Sequence, residues 1–170
     1  IIGYGQPDFT YGFTNTIGYG SFELSIFIQG VQGNDVFNAS RIDMEGMYDH
    51  KNQSTHVLER WRFPGQTSEV PKATTDMANV RNSTRFIEDG SYLRVKNITL
   101  SYSLKRELAQ KIKLNSLTLF GTAQNLITLT NYSGFDPEVN AYGNSGVEIG
   151  VDYGTYPHSR TFIFGFNVEF

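Results

Sequence analysis

Arg160 to Phe170 reads R-T-F-I-F-G-F-N-V-E-F, and this stretch decides the fold. Phe162, Phe164, Phe166, Val168 and Phe170 occupy alternate positions. Thr161, Gly165, Asn167 and Glu169 lie between them, and Ile163 is the one apolar residue on that second side. Successive strand side chains point to opposite faces, so the pattern predicts a strand with one aromatic face and one small or polar face. Such a stripe faces either the core of a soluble domain or the acyl chains of a bilayer.

Composition narrows the choice. The 170 residues are 39% hydrophobic with a mean hydropathy of −0.34. No stretch approaches the roughly 18 consecutive apolar residues of a spanning helix. Transmembrane barrels escape that test, because their lipid-facing and lumen-facing residues alternate and the average looks soluble. The 10 Tyr, 13 Phe and 17 Gly suit strands, tight turns and aromatic girdles. A formal net charge of −3 argues against a nucleic-acid partner. The absence of Cys excludes disulfides and thiolate metal sites.

Four more segments read as strands. In Phe9–Tyr19, Phe9, Tyr11, Phe13, Ile17 and Tyr19 share one face with Asn15, opposite Thr10, Gly12, Thr14, Thr16 and Gly18. Gly20-Ser21 then forms a very short turn. In residues 22–31, Phe22, Leu24, Ile26 and Ile28 oppose Glu23, Ser25 and Gln29, with Phe27 and Val31 breaking the polar side. The segment 91–104 changes phase: Leu93 and Val95 face one way, Ile98, Leu100, Tyr102 and Leu104 the other. Either a β-bulge near Asn97 shifts the phase or Arg94 and Lys96 sit above a lipid band. The segment 116–130 alternates more weakly. The terminal stripe, 160–170, is the fifth.

The connections run short, long, short, long. Residues 32–89 lack strand alternation and carry 9 acidic and 7 basic residues; short helices are expected within Asp35–Tyr48 and Thr55–Trp61. One or two helical turns are expected in Lys105–Lys113, and residues 131–159 are rich in Tyr, Gly and Asn. Short periplasmic turns and longer extracellular loops are the asymmetry of an outer-membrane barrel. The expected topology puts the turns near 20 and 105–113 in the periplasm and the loops 32–89 and 131–159 outside the cell. The apolar faces of segments one, two, four and five carry no charge, as lipid contact requires, although a soluble core excludes charge too. Five strands do not close a barrel, for which eight is the practical minimum, and an open sheet leaves unsatisfied edges in lipid. Ile1 is not a Met and no signal peptide is visible. The chain is therefore expected to be the tail of something longer, with the missing strands upstream.

Particular strings carry a resemblance. G-Q-P-D-F-T-Y-G at Gly5–Gly12, E-D-G-S-Y-L-R-V-K-N-I-T-L at Glu88–Leu100, G-T-A-Q-N-L at Gly121–Leu126 and Y-S-G-F-D-P-E at Tyr132–Glu138 resemble late-strand signatures of SusC/RagA-type TonB-dependent transporters of Bacteroidetes outer membranes. Tyr156-Pro157 followed by Arg160-Thr161-Phe162 resembles their lead into the final strand. The resemblance implies an all-β chain: the last five strands of a 22-stranded transmembrane antiparallel β-barrel with long extracellular loops, its plug domain lying elsewhere. It implies import of oligosaccharides or peptides, a SusD-like surface lipoprotein as lid, and energy from TonB acting through the plug. The expected partners are then the upstream part of the same transporter, that lipoprotein, TonB, membrane lipid and the substrate. An aromatic last residue such as Phe170 resembles the signal read by the barrel-assembly machinery, and ordinary girdle packing is its plainer reading.

No catalytic set or cofactor site stands out, and an enzyme is not expected. His50, His56 and His158 lack metal-pair spacing and read as solvated loop residues. Asp136 and Glu138, flanking Pro137, read as turn structure before cation ligands. Gly18 and Gly20 are turn residues, with no Lys-Ser/Thr helix start after them. The candidate contact residues are loop aromatics: Tyr48, Trp61, Phe63, Tyr132, Phe135, Tyr142, Tyr153 and Tyr156. Tyr and Trp combine apolar area with a polar handle, so they serve sugar stacking or lid docking, or simply pack the loops together. Arg60 and Arg62 beside Trp61 read as a solvated face. Phe162, Phe164, Phe166, Val168 and Phe170 are assigned to lipid and assembly. The competing expectation is a soluble β-sandwich module that binds carbohydrate through the loop aromatics.

Overall fold

The structure, a computed structural model, describes residues 2–139, 141 and 149–170. The chain divides into two compact units, one formed by Asp8–Gln32, Ser91–Asn131 and Pro157–Phe170 and the other by Ile1–Pro7, Gly33–Gly90 and Tyr132–Tyr156.

The first unit is a five-stranded sheet. Its strands are β1 (Phe9–Tyr19), β2 (Phe22–Gln32), β5 (Tyr92–Ser103), β6 (Ser116–Thr130) and β8 (Thr161–Glu169), in spatial order β1-β2-β5-β6-β8. Every neighbouring pair is antiparallel. Each strand lies on one of the five alternating segments. Gly20-Ser21 joins β1 to β2 with Tyr19 opposite Phe22, and Gly20 takes φ +61°, the left-handed backbone that a two-residue hairpin needs at its first position. The helix α2 (Arg106–Lys111) lies between β5 and β6, where one or two turns are expected, and buries Ala109.

The phase change in the third segment is a bulge. Ile26 faces Ile98 and Ile28 faces Val95, so β5 carries one more residue than β2 across this interval. On the other side Val95 faces Ile127 and Asn97 faces Gln124, so β6 carries one more again. Asn125, in that interval of β6, adopts φ +52°, a conformation Asn tolerates better than most residues. The bulges bring Leu93 and Val95 onto the same face as Ile98, Leu100 and Tyr102, because residues directly opposite in a ladder share a face. One apolar face then runs through all five strands: Phe13–Ile28 and Ile17–Leu24, Leu24–Leu100 and Ile26–Ile98, Tyr102–Leu119, Leu119–Phe166 and Gly121–Phe164.

Glycines opposite aromatics fill out this sheet. Gly30 lies under Tyr11, its direct partner, and Gly165 lies under Phe120. A Cβ on Gly121 would sit 3.3 Å from the ring of Phe164, also its partner. Each ring covers backbone that a glycine leaves bare, a known way to stabilise a strand glycine.

The second unit departs from expectation. No strand is predicted between Gln32 and about Asp89, yet β3 (Asp35–Asn38) pairs antiparallel with β4 (Ile87–Asp89) and parallel with β7 (Val151–Asp152). Strands of four residues or fewer are too short to show alternation, and their partners are remote in sequence. Of the helix expected within Asp35–Tyr48, only α1 (Ser40–Glu45) forms, and Thr55–Glu59 is a 3₁₀ turn. Val36, Val57, Val70, Phe86 and Tyr132 make the apolar core, with Phe37 edge-on to Phe86 at 6.4 Å between ring centres.

Candidate functional site

Two surfaces carry chemistry, one on each unit. On the sheet, the apolar face is open: Phe13, Ile17, Leu100, Leu119, Phe162, Phe164 and Phe166 are all exposed. Phe22 and Tyr102, opposite each other, stack at 4.8 Å between centroids. None of the paired positions on this face is charged. The opposite face is dressed with hydroxyls. Thr99 and Thr122 share a 2.9 Å hydrogen bond, Ser103 and Thr118 one of 3.1 Å, and the Arg94 guanidinium donates to Thr128 at 2.9 Å. Exposed apolar surface of this extent marks contact with a membrane or another protein, because soluble monomers rarely leave it bare.

On the second unit, a part-buried ion network centred on the buried Glu45 holds the segments together. Glu45, at the end of α1, accepts hydrogen bonds from Arg41 at 3.0 and 3.1 Å and from Arg85 at 3.1 Å, and His56 Nδ1 lies 3.2 Å from it. Arg41 also donates to Glu88 at 2.9 Å, and Ser133 donates to Glu88 through both its amide and its hydroxyl. Burial pushes the Glu45 carboxyl up, but the Arg41 hydrogen bonds and charge, with His56, outweigh it and hold the group below the usual carboxylate range. Glu88 is held low in the same way, burial being outweighed by Ser133 and then Arg41. Burial works against the charge on Arg41, yet Glu45 and Glu88 together raise its pKa. Tyr132 donates to Asp152 at 2.6 Å, and burial first, then this bond, pushes its phenol far up.

Each loop aromatic takes a distinct place. Tyr48 and Tyr153, more than a hundred residues apart, both donate to Asp43, at 2.8 and 3.0 Å. Lys51 donates to the same carboxylate at 2.7 Å and lies over the Tyr48 ring. These contacts, Lys51 first, hold Asp43 below its ordinary pKa. Trp61 is half-buried, its backbone amide bonded to Val70. Phe63, Phe135 and Tyr156 are exposed, Phe135 at 84%. Tyr132 is different from the expectation of an open contact residue: it is 6% exposed, because its ring lies over Gly134 and its hydroxyl is spent on Asp152. Tyr142 lies outside the described residues. Asp136 accepts from the Glu138 amide at 2.9 Å, the turn expected there. Arg60 and Arg62 bond backbone carbonyls of Val57 and Leu58. His56 joins the ion network rather than standing free in solvent.

Sequence reasoning missed that network and the cavity beside it. Asn38, Arg41, Met44, Glu45, Glu88, Phe135 and Asp152 line a cavity of about 420 Å³ within this unit. Arg41 and Glu45 stand four apart on a helical stretch, which is a readable signal. Glu88, Arg85 and Asp152 come from remote positions with no local pattern to announce them.

A sheet of amphipathic strands, greasy and charge-free on one side and hydroxylated on the other, defines a wall segment of a transmembrane β-barrel. The relatives name the family. The chain is 35% identical over its whole length to TonB-dependent receptor P3 of Formosa agariphila, spanning 17% of that receptor. It is 26% identical over 96% of its length to the TonB-dependent receptor SusC of Bacteroides thetaiotaomicron, spanning 15% of it. Among solved structures, the RagAB peptide importer in its closed-closed state matches with a TM-score of 0.84 and 25% identity, over 99% of this chain and 18% of that one. The open-open state matches at 0.80 over 97% and 17%. No protein-family model matches. The chain is a segment of a SusC/RagA-type TonB-dependent transporter, a family of the outer membrane, and it spans less than a fifth of the length of these relatives.

Proposed function

We propose that this chain forms the last five strands of a 22-stranded barrel that imports nutrients across the outer membrane. The apolar face meets lipid and the hydroxylated face lines the lumen. The unit built from Gly33–Gly90 and Tyr132–Tyr156 is extracellular, the turns at Gly20-Ser21 and α2 are periplasmic, and the upstream strands close the barrel. The substrate is an oligosaccharide or a peptide, a SusD-like lipoprotein is the lid, and TonB drives the plug. The relatives named above support this reading: one is SusC and another is a peptide importer.

One observation carries the proposal. The two bulges keep the apolar face in register across all five strands, and no charge interrupts it. A charge at mid-membrane would cost about 2–4 kcal/mol, so lipid contact enforces that exclusion on every strand. The test is spin labelling of the full receptor in bilayers, one site at a time. Labels at Phe164, Ile98 and Leu24 are expected to collide with oxygen, and labels at Thr122, Thr99 and Ser25 with a water-soluble nickel chelate. Equal water access on both faces would overturn the wall. Uptake that is unchanged without TonB would overturn the import.

A further inference from the structure

We infer that the end of the sheet beside α2 is a selective site for an anionic phospholipid. One acyl chain lies in a groove of the apolar face, and the phosphate lies against the basic connection 105–113. This deepens the proposed wall by naming a lipid that it holds in place, in the leaflet on the α2 side, and it rests on that reading.

The groove follows from one glycine. Gly121 of β6 lies opposite Leu100 on one side and Phe164 on the other, so the apolar face lacks a side chain between two large ones. The result is a depression of about 280 Å³ bordered by Phe22, Leu100, Tyr102, Leu119 and Phe164. Phe22, Leu100, Leu119 and Phe164 are exposed, so the groove is open along its face. At the end of this stripe Tyr102 stacks on Phe22. A tyrosine there belongs at headgroup level, its ring against apolar surface and its hydroxyl toward water.

Beyond Tyr102 the character of the chain reverses. Lys105, Arg106, Lys111 and Lys113 share this connection with one acid, Glu107, a net charge of +3 in a chain of net −3. All four cations are exposed, and none joins an ion pair among the described residues. The strand is pinned up to their edge: the Ser103 amide donates to Ser21 and the Leu104 amide to Leu117, both at 2.8 Å. Lys105 therefore stands only about 10 Å beyond Tyr102 along extended chain. Leu108 and Ile112, one helical turn apart, are exposed as well, while Ala109 is buried. Exposed apolar residues among unpaired cations make up a segment that lies in a membrane surface.

Charge decides between lipids. Every phospholipid brings an acyl chain to the groove. A zwitterionic headgroup also brings an ammonium toward the cations. An anionic headgroup does not, and each Lys or Arg near the surface favours it by about fivefold. An acidic protein would satisfy the cations equally but has no acyl chain for the groove.

The test places the full receptor in phosphatidylethanolamine bilayers. Trace phosphatidylglycerol or phosphatidylethanolamine carries a photoactivatable diazirine partway along one acyl chain, and mass spectrometry maps the adducts. At Leu100, Leu119 and Phe164 the phosphatidylglycerol probe is expected to label at least about fivefold more than the other. At Ile127 and Leu129, exposed near the far end of β6, the two should label equally. Lys105→Gln, Arg106→Gln, Lys111→Gln and Lys113→Gln combined should bring the groove ratio to parity. Leu100→Trp fills the groove from an exposed position and should lower phosphatidylglycerol adducts at Leu119 and Phe164 at least about fivefold. The same preference at Ile127 and Leu129, an unchanged ratio in the Gln variant, or undiminished adducts in Leu100→Trp overturns the site. Adducts of both probes in the groove without preference sink the site alone. No adducts anywhere on this face sink the wall, and the site with it. Uptake independent of TonB, with the preference intact, sinks import alone.

Discussion

The sheet and the loop unit are held together by different physics. In the sheet, each residue's partner is fixed by backbone ladders, and its side is fixed by a period of two. In the loop unit, regular structure is sparse and the organising contacts are charged groups brought together from positions 41, 45, 85 and 88. The sheet spreads its stability over many equivalent pairs. The loop unit concentrates it in a few. Damage at one position should therefore stay local in the sheet and spread in the loop unit.

The sharpest break of that contrast is Glu45→Ala. It leaves Arg41, Arg85 and His56 without their shared carboxylate. Removing one partner of a fully buried ion pair costs about 3–5 kcal/mol, and the part-exposed arginines here set the loss toward the lower end of that range. The expected readout is protease cleavage within residues 33–90 of the full receptor, with the sheet strands still protected. Cleavage no faster than wild type would mean that the network is ornament.

Next comes a charge on the open face. Ile98→Lys places an ammonium between Ile26 and Ala123 at the centre of the sheet. The expected loss is about 2–4 kcal/mol if this face meets lipid. Ser101→Lys, on the opposite face beside Glu23, should change folding by no more than about 0.5 kcal/mol. Urea unfolding of the receptor in vesicles measures both. Equal costs for the two would erase the distinction between the faces.

A smaller effect tests the aromatic caps. Gly165→Val drives a side chain into the ring of Phe120 and is expected to cost about 1–3 kcal/mol. Gly18→Val has open space around its new Cβ, so it should be neutral or mildly stabilising. The same unfolding measurement ranks the two, and equal costs would remove the packing role of the rings.

The contrast also explains what was legible. Phe162, Phe164, Phe166 and Val168 announce β8 because every side chain reports its side by parity alone. Even the phase slip between Val95 and Ile98 was visible, since a bulge writes itself as a broken alternation. Which of two causes produced it was not, because Asn125, on the neighbouring strand, shares the irregularity. The loop unit offered little of this kind. Tyr48 and Tyr153 could be named as aromatics in long loops, but nothing local shows that both end on Asp43. Tyr132 looked like an open aromatic because composition does not record burial. Asn38, Glu88 and Asp152 meet through a three-stranded sheet whose strands are too short to leave a period.

The gentlest probe is acid. Glu45 and Glu88 have folded-state pKa values below the ordinary range. The unfolded chain therefore binds protons first as pH falls. The stability they contribute is complete above the unfolded carboxylate values, about 4.3 for Glu, and is lost as pH drops through the lower folded values. Amide exchange at Val36 and Phe86 should then accelerate below about pH 4 in the full receptor, relative to amides in β2 and β5, whose ladders do not depend on these acids. Protection lost equally in both units would show that acid acts on the whole molecule, and the division between a distributed sheet and a concentrated loop unit would fail.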